Sequence, residues 1–317
     1  MSDERTLDLL EAKIRELREL NKMDGMDLSS EITKLETKLE SLRVALYADL
    51  SDWDRVKIAR HVKRPYACDY FEQVFSDFYE LHGDRFTGDD RALVVGLARL
   101  DGRAVAVIGH QKGRTTEENR ERFFGMPRPQ GYRKAQRILR LAERFSLPVI
   151  SLVDTAGAYP GLESESGNIG GAIAENLALM SRIPVPIVVC IIGEGGSGGA
   201  LAVGVGDRIL MLENATFSVI SPEGAAAILW KDKDRTREAA EALQLTAAKL
   251  LNLGLVDEII PEPLGGAHKN WPDVFEAVQA SLIRHIEQLE DVPRDQLVAS
   301  RYERYRGIGE FRTLAEA

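Results

Sequence analysis

The stretch Gly193-Glu194-Gly195-Gly196-Ser197-Gly198-Gly199 places five glycines in seven positions, directly behind the apolar run 187–192. Packing a strand against a following helix needs one or two glycines. This density predicts a loop whose backbone approaches a ligand, with the first N–H groups of the next helix aimed at negative charge. The same rhythm occurs one step earlier. An apolar run over 149–153, opened by Pro148, leads into Asp154-Thr155-Ala156-Gly157-Ala158-Tyr159-Pro160-Gly161, and helical spacing follows over 169–180. After the second loop a small-residue helix is expected from about Ala200. Strands over 208–212 and 216–219 follow, the latter running into Ser221-Pro222-Glu223-Gly224. Buried strands alternating with helices define an α/β body.

Upstream, strand-like runs over 92–97 and 104–108 meet at Asp101-Gly102, which reads as a hairpin turn. Phe71, Phe75 and Phe78 predict a short helix with an inward apolar face, and helices are also expected over 131–144 and 237–251. Val274, Val278, Leu282, Ile286 and Leu289 mark another. The first 50 residues differ in kind. Leu7, Leu10, Ile14 and Leu17 form one narrow stripe; Ile32, Leu35, Leu39, Leu42 and Leu46 form a second, with the breaker Asp24-Gly25 between them. Two amphipathic helices in a hairpin are predicted, the second capped by Ser29 or Ser30. Such a pair is expected to need the main body or another chain to cover its stripes. The domain reading is therefore a helical hairpin over 1–50 and an α/β body over 51–317.

A net charge of −9 on 317 residues argues against nucleic acid as a main partner, because no basic excess exists to release phosphate counterions. Cys68 and Cys190 are far apart, so neither a disulfide framework nor a zinc site built by this chain is expected. Cys190 reads as a buried structural thiol. With no apolar stretch near the ~20 residues of a bilayer span, and an acidic start without an apolar signal region, the chain reads as cytoplasmic.

Three familiar motifs match by letter. Gly193-x-Gly195-x-x-Gly198 fits the dinucleotide fingerprint, but the acidic residue that should follow is met only loosely by Glu213. Gly195-x-Ser197-x-Gly199 fits a nucleophile elbow, and Ser197, Asp207 or Glu223, and His268 stand in hydrolase order; this serine hydrolase is the alternative reading. Asp154-Thr155-Ala156-Gly157 resembles a GTPase magnesium loop, but the sequence has no GxxxxGK[ST] upstream. What remains is chemistry done by backbone dipoles, suited to oxyanions on thioester enolates or ureido groups.

Taken together, 154–161, 193–200 and 219–224 resemble the carboxyltransferase alpha subunits of acetyl-CoA carboxylase. So do Gly109-His110-Gln111-Lys112-Gly113-Arg114, Phe124-Gly125-Met126-Pro127 and the stretch 260–268, all in order between about Tyr66 and His268. Ala156 departs from the proline expected in many members.

The resemblance implies a crotonase-like (ClpP/crotonase) superhelix of ββα units with an N-terminal helical extension. It implies transfer of a carboxyl group from carboxybiotin, borne on a biotin carboxyl carrier protein, to acetyl-CoA. Malonyl-CoA is the product, in the first committed step of fatty acid biosynthesis. An obligatory beta subunit in an α2β2 assembly is implied, alongside biotin carboxylase. Beta subunits of the family carry a four-cysteine zinc ribbon, and the lack of that motif here agrees with an alpha chain. Residue by residue, Gly198 and Gly199 become backbone donors to the ureido oxygen, with Gly195 and Gly196 shaping their loop. Gly157, Ala158 and Tyr159 line the biotin pocket, and Lys112 and Arg114 contact a coenzyme A phosphate. His110 is expected to be a hydrogen-bonded structural residue.

Overall fold

The computed structural model describes residues 2–23 and 27–309, which group into two units, Met1–Ser51 and Asp52–Ala317. The Asp24-Gly25 breaker lies outside the described residues. In the first unit, helices Ser2–Met23 and Ser29–Tyr47 bury Leu7, Ile14, Ile32 and Leu39 in one cluster, with Leu10, Leu17, Leu35, Leu42 and Leu46 packed around it. The two stripes thus pack on each other, with these flanking leucines left partly buried. Arg43 pairs with Glu11 and Arg18 with Glu36, each at 2.6 Å across the hairpin. The expected serine cap is not formed. Leu28 holds the cap position, and the Asp27 carboxylate accepts the Ser29 N–H at 3.1 Å.

The second unit is built on an eight-stranded sheet. Its strands are β1 Ser76–Glu80, β2 Leu93–Leu100, β3 Arg103–His110, β4 Val149–Thr155, β5 Ile187–Gly196, β6 Arg208–Leu212, β7 Thr216–Ser218 and β8 Glu258–Ile260. Their order is β1-β2-β3-β4-β5-β6-β8, with β7 paired to the far end of β5. Asp101 and Gly102 both take left-handed backbone, as a two-residue turn between antiparallel strands requires, and β2 and β3 pair without a slip from Leu93↔His110 to Leu100↔Arg103. From β3 onward the pairings are parallel. Every residue of β4 is buried, consistent with a central parallel strand covered on both faces.

Two helical expectations are revised. The helix behind Tyr66 ends at Gln73, and Phe78 lies in β1, where it stacks on Phe71 at 4.8 Å. The stretch 237–251 splits into Thr236–Leu243 and Ala247–Asn252. Between them Gln244 turns left-handed, and the Leu245 carbonyl accepts from Phe217 N–H at 3.0 Å, so tertiary pairing with β7 takes residues out of the helix. Trp271–Glu290 buries Val274, Val278, Leu282, Ile286 and Leu289 as expected. Among the described residues, no helix is long and apolar enough to cross a membrane.

Candidate active site

β4 and β5 lie in register from Val149↔Ile187 to Val153↔Ile191, and then the ladder slips, so that Thr155 faces Gly195. Two extra residues of β5 are accommodated at the slip, and there the Glu194 N–H is taken by the Asp154 carboxylate at 2.9 Å. Beyond it, Thr155 folds its own loop. Its hydroxyl donates to the Gly157 carbonyl at 2.8 Å and accepts the Gly157 N–H at 3.1 Å. This holds 156–158 against the glycine loop. A Cβ on Gly196 would collide with the Ala156 carbonyl and stand 2.8 Å from the Thr155 oxygen. A Cβ on Gly199 would collide with the Gly157 carbonyl carbon and stand 2.7 Å from the Ala158 nitrogen. The two loops touch backbone to backbone, which only glycine allows.

The small-residue helix begins earlier than expected, as Ser197–Leu201. Gly198 and Gly199 therefore lie in its first turn, where no preceding turn supplies carbonyls, and none of the described backbone bonds outside the helix is donated by either residue. Gly198 differs from its neighbour: a Cβ there would meet only Ile173 Cδ1, at 3.4 Å. Gly195 and Gly196 are the last residues of β5. Ala158 packs with Tyr132, Ala172 and Ala202, while half-buried Tyr159 meets Phe123 edge-on at 5.2 Å. A cleft lined by Arg60, Ala156, Glu194, Gly195, Gly196 and Ser221 brings the third loop to the other two.

Lys112 faces inward, whereas Arg114 remains exposed. The Lys112 ammonium, its side chain 14% exposed, lies 2.6 Å from Asp154 Oδ1 and 2.9 Å from Glu194 Oε2. Arg114 donates to Asp69 at 2.5 Å and lies over the rings of Tyr66 and Trp271. Lys112 is thus enclosed between two carboxylates, while Arg114 stays at the surface beside Asp69. Arg60, which the sequence reading passed over, reaches Glu194 Oε1 at 2.6 Å and both oxygens of Glu223 at 2.5 and 3.2 Å. Burial works against charge on Glu194, but Lys112 and Arg60 outweigh it and bring its carboxyl down to about 2. Burial likewise disfavours the Lys112 ammonium, and Asp154 and Glu194 hold it above the ordinary lysine range. The signal in the sequence was a lone acid, Glu194, inside a loop of small residues.

A second missed group anchors the same strand. Arg64, 1% exposed, donates to the Ile192 carbonyl at 2.9 Å and pairs doubly with Glu262 at 2.6 and 2.9 Å. Glu262 also takes the N–H groups of Asn214 and Ala267, so the stretch 260–268 is tied to the end of β5. His110 is fully buried with the Gly199 and Leu152 backbone against its ring, although neither ring nitrogen makes a hydrogen bond of good geometry among the described residues. Burial first, then the Lys112 charge, push its imidazole down to about 3.

The hydrolase constellation does not assemble. Asp207 is committed to Arg301 at 2.7 and 2.8 Å, Glu223 to Arg60, and His268 stacks on His61 at 3.7 Å. Exposed Ser197 carries left-handed backbone, and among the described side-chain hydrogen bonds none joins it to a histidine.

A family profile described as acetyl co-enzyme A carboxylase carboxyltransferase-like matches residues 1–309. The acetyl-coenzyme A carboxylase carboxyl transferase subunit alpha of Bacillus cytotoxicus is 54% identical over 301 residues, covering 95% of this chain and 93% of that protein. The protein of the same name from Methylococcus capsulatus is 53% identical over 300 residues, covering 95% and 94%. Among solved structures, transcarboxylase 12S with methylmalonyl-coenzyme A and methylmalonic acid bound gives a TM-score of 0.56 at 19% identity, over 81% of this chain and 45% of that one. A Pseudomonas malonate decarboxylase hetero-tetramer in complex with coenzyme A gives 0.56 at 20% identity, over 69% and 89%. At these identities the likeness is one of fold, and the fold is the crotonase-like α/β architecture expected from the sequence. The chain belongs to the acetyl co-enzyme A carboxylase carboxyltransferase-like family.

Proposed function

We propose that this chain is the alpha half of a cytoplasmic carboxyltransferase that moves a carboxyl group from carrier-bound carboxybiotin to acetyl-CoA, forming malonyl-CoA for fatty acid biosynthesis. The observation that carries the reading is the backbone contact between Gly199 and Gly157–Ala158. It sets two N–H groups, those of Gly198 and Gly199, at a helix start beside a second backbone loop. Donors fixed in this way stabilise a developing oxyanion without reorganising, and one such donor is typically worth about 3 to 4 kcal/mol at the transition state.

The residues present fit the group this reading implies. Gly157 leaves open space where a Cβ would stand, next to half-buried Ala158 and Tyr159. Gly157, Ala158 and Tyr159 would hold the bicyclic ring, and carboxybiotin supplies the carboxyl group when bound. Gly198 and Gly199 would donate to its ureido oxygen, with Gly195 and Gly196 shaping the loop. No side chain of this chain is asked to act as a base. Exposed Arg114 would contact a coenzyme A phosphate in this reading, whereas Lys112 is engaged by Asp154 and Glu194.

The domain reading stays with it: a hairpin extension over 1–50 and a carboxyltransferase body over 51–317. The partner is a beta subunit of the same fold carrying a zinc ribbon, in an α2β2 assembly served by the biotin carboxyl carrier protein and biotin carboxylase. The curated relatives named subunit alpha and the hetero-tetrameric structural neighbour support a multi-subunit enzyme.

The test is co-expression with a beta subunit, followed by decarboxylation of malonyl-CoA in the presence of biocytin, with each chain alone as control. Activity only in the mixture supports the reading. Ester hydrolysis by this chain alone would overturn it in favour of Ser197 chemistry.

A further inference from the structure

The β4–β5 ladder slips between Val153 and Thr155, just before both strands give way to the loops that meet at Gly199. Backbone pairing therefore does not fix the spacing of those loops through the slip. Side chains bridge the gap instead. Lys112 follows β3 and crosses the ends of β4 and β5, with its ammonium 2.6 Å from Asp154 Oδ1 and 2.9 Å from Glu194 Oε2. Asp154 Oδ1 also receives the Glu194 N–H at 2.9 Å, so one carboxylate oxygen holds the ammonium and the loop backbone together. Glu194 passes the connection to Arg60 at 2.6 Å, and Arg60 passes it to Glu223 in the first turn of the helix Pro222–Leu229 that closes the third loop. Two cations thus bind three carboxylates across three loops. Among the described ion pairs, Lys112 alone joins Asp154 to Glu194. Without it, two largely buried carboxylates would face each other with their shared cation gone, and like charges at such sites repel strongly.

We propose that Lys112 is a positioning residue, whose ammonium clamps Asp154 to Glu194 and so sets where the Gly198 and Gly199 N–H groups stand against the Gly157–Ala158 backbone. The proposal rests on reading that loop as the oxyanion site, and it assigns Lys112 no contact with substrate.

The experiment compares Lys112→Met, Glu194→Gln and the double variant in two ways. The first is amide hydrogen exchange over 193–201 in the full chain. The second is malonyl-CoA decarboxylation by each variant in complex with the beta subunit. Lys112→Met is expected to quicken exchange in that segment and to lower kcat about tenfold or more, with KM for malonyl-CoA within about twofold. Glu194→Gln is expected to lower kcat about threefold, and the double variant to exceed Lys112→Met alone, because one of the two carboxylates that shared the lost cation has been removed. A simple stabilising role would lower the melting temperature and leave kcat of the folded complex unchanged. Lys112→Met with wild-type exchange and wild-type kcat would overturn the clamp. If Lys112→Met does not fold, Glu194→Gln carries the test, and unchanged exchange and kcat there overturn it equally. A wild-type complex without activity would defeat the functional reading, while the exchange comparison would still decide whether Lys112 orders the loop.

Discussion

Gly199 and Gly157 are packed so closely that a Cβ on Gly199 would stand 2.5 Å from the Gly157 carbonyl oxygen, whereas one on neighbouring Gly198 would make only ordinary contact with Ile173. The two glycines share a helical turn but not a constraint. Gly199 is required by the meeting of two loops, and Gly198 is required, in our reading, for its N–H and for access.

Alanine substitution should separate them. Gly199→Ala must push the 157–158 segment away, and a displacement of this kind is expected to cost about 100-fold in kcat. Gly198→Ala keeps its N–H and should lose about tenfold or less. Steady-state decarboxylation of malonyl-CoA by the assembled complex measures both. Equal losses would contradict the crowding argument.

Ser197 should prove dispensable for chemistry. Ser197→Ala keeps the backbone of the helix start and is expected to retain carboxyl transfer within about threefold, where removal of a nucleophile would cost several orders of magnitude. The same complex assay decides between them.

The pair Arg64–Glu262 should matter for stability far more than for turnover. Arg64 is 1% exposed, and its partner's side chain is fully covered. Removing one member of a buried pair leaves an uncompensated charge, at a cost of about 3 to 5 kcal/mol. Urea unfolding of Arg64→Met should show a loss of that order, and a loss below about 1 kcal/mol, as for a surface pair, would refute the assignment.

Acid should weaken the fold partly through His110. Its imidazole is pushed down to about 3 by burial and by Lys112, although the Gly199 and Leu152 backbone favours the charged form. The unfolded chain carries an ordinary histidine near 6.5. Below about pH 6.5 the unfolded state therefore binds a proton that the folded state refuses, and stability falls from there toward pH 3. One such group contributes a slope of up to about 1.4 kcal/mol per pH unit. His268 is pushed the same way by burial and by His61, which adds to the fall. Denaturation of His110→Gln at pH 7 and pH 5 should show a smaller drop than the wild type, and an equal drop would exclude His110 as a contributor.

Much of the body was legible locally. The two apolar runs that became β4 and β5, the Asp101-Gly102 hairpin and the stripe of Trp271–Glu290 all follow from residue type and spacing over short windows. The candidate loops were legible for the same reason, since five glycines in seven residues are visible without any partner. Where reading failed, a distant contact had overridden a local preference. Phe78 kept helical spacing from Phe71 and Phe75 but lies in β1, and Gln244 broke a continuous helical pattern so that Leu245 meets Phe217.

The direction of a long charged side chain is set by partners far along the chain. Lys112 looks like an exposed cation until Asp154 and Glu194, 42 and 82 residues on, are brought to it. The sequence alone therefore determined which segments form strands, where the backbone is bare, and which family resemblance to test, because these depend on residue type and near neighbours. The tertiary structure alone decided that Gly199 meets Gly157, that Lys112 faces inward, and that Asp207, Glu223 and His268 are engaged away from Ser197. Those outcomes depend on which strand ends the sheet sets side by side, and the slip between β4 and β5 that defines them leaves no mark in the local pattern.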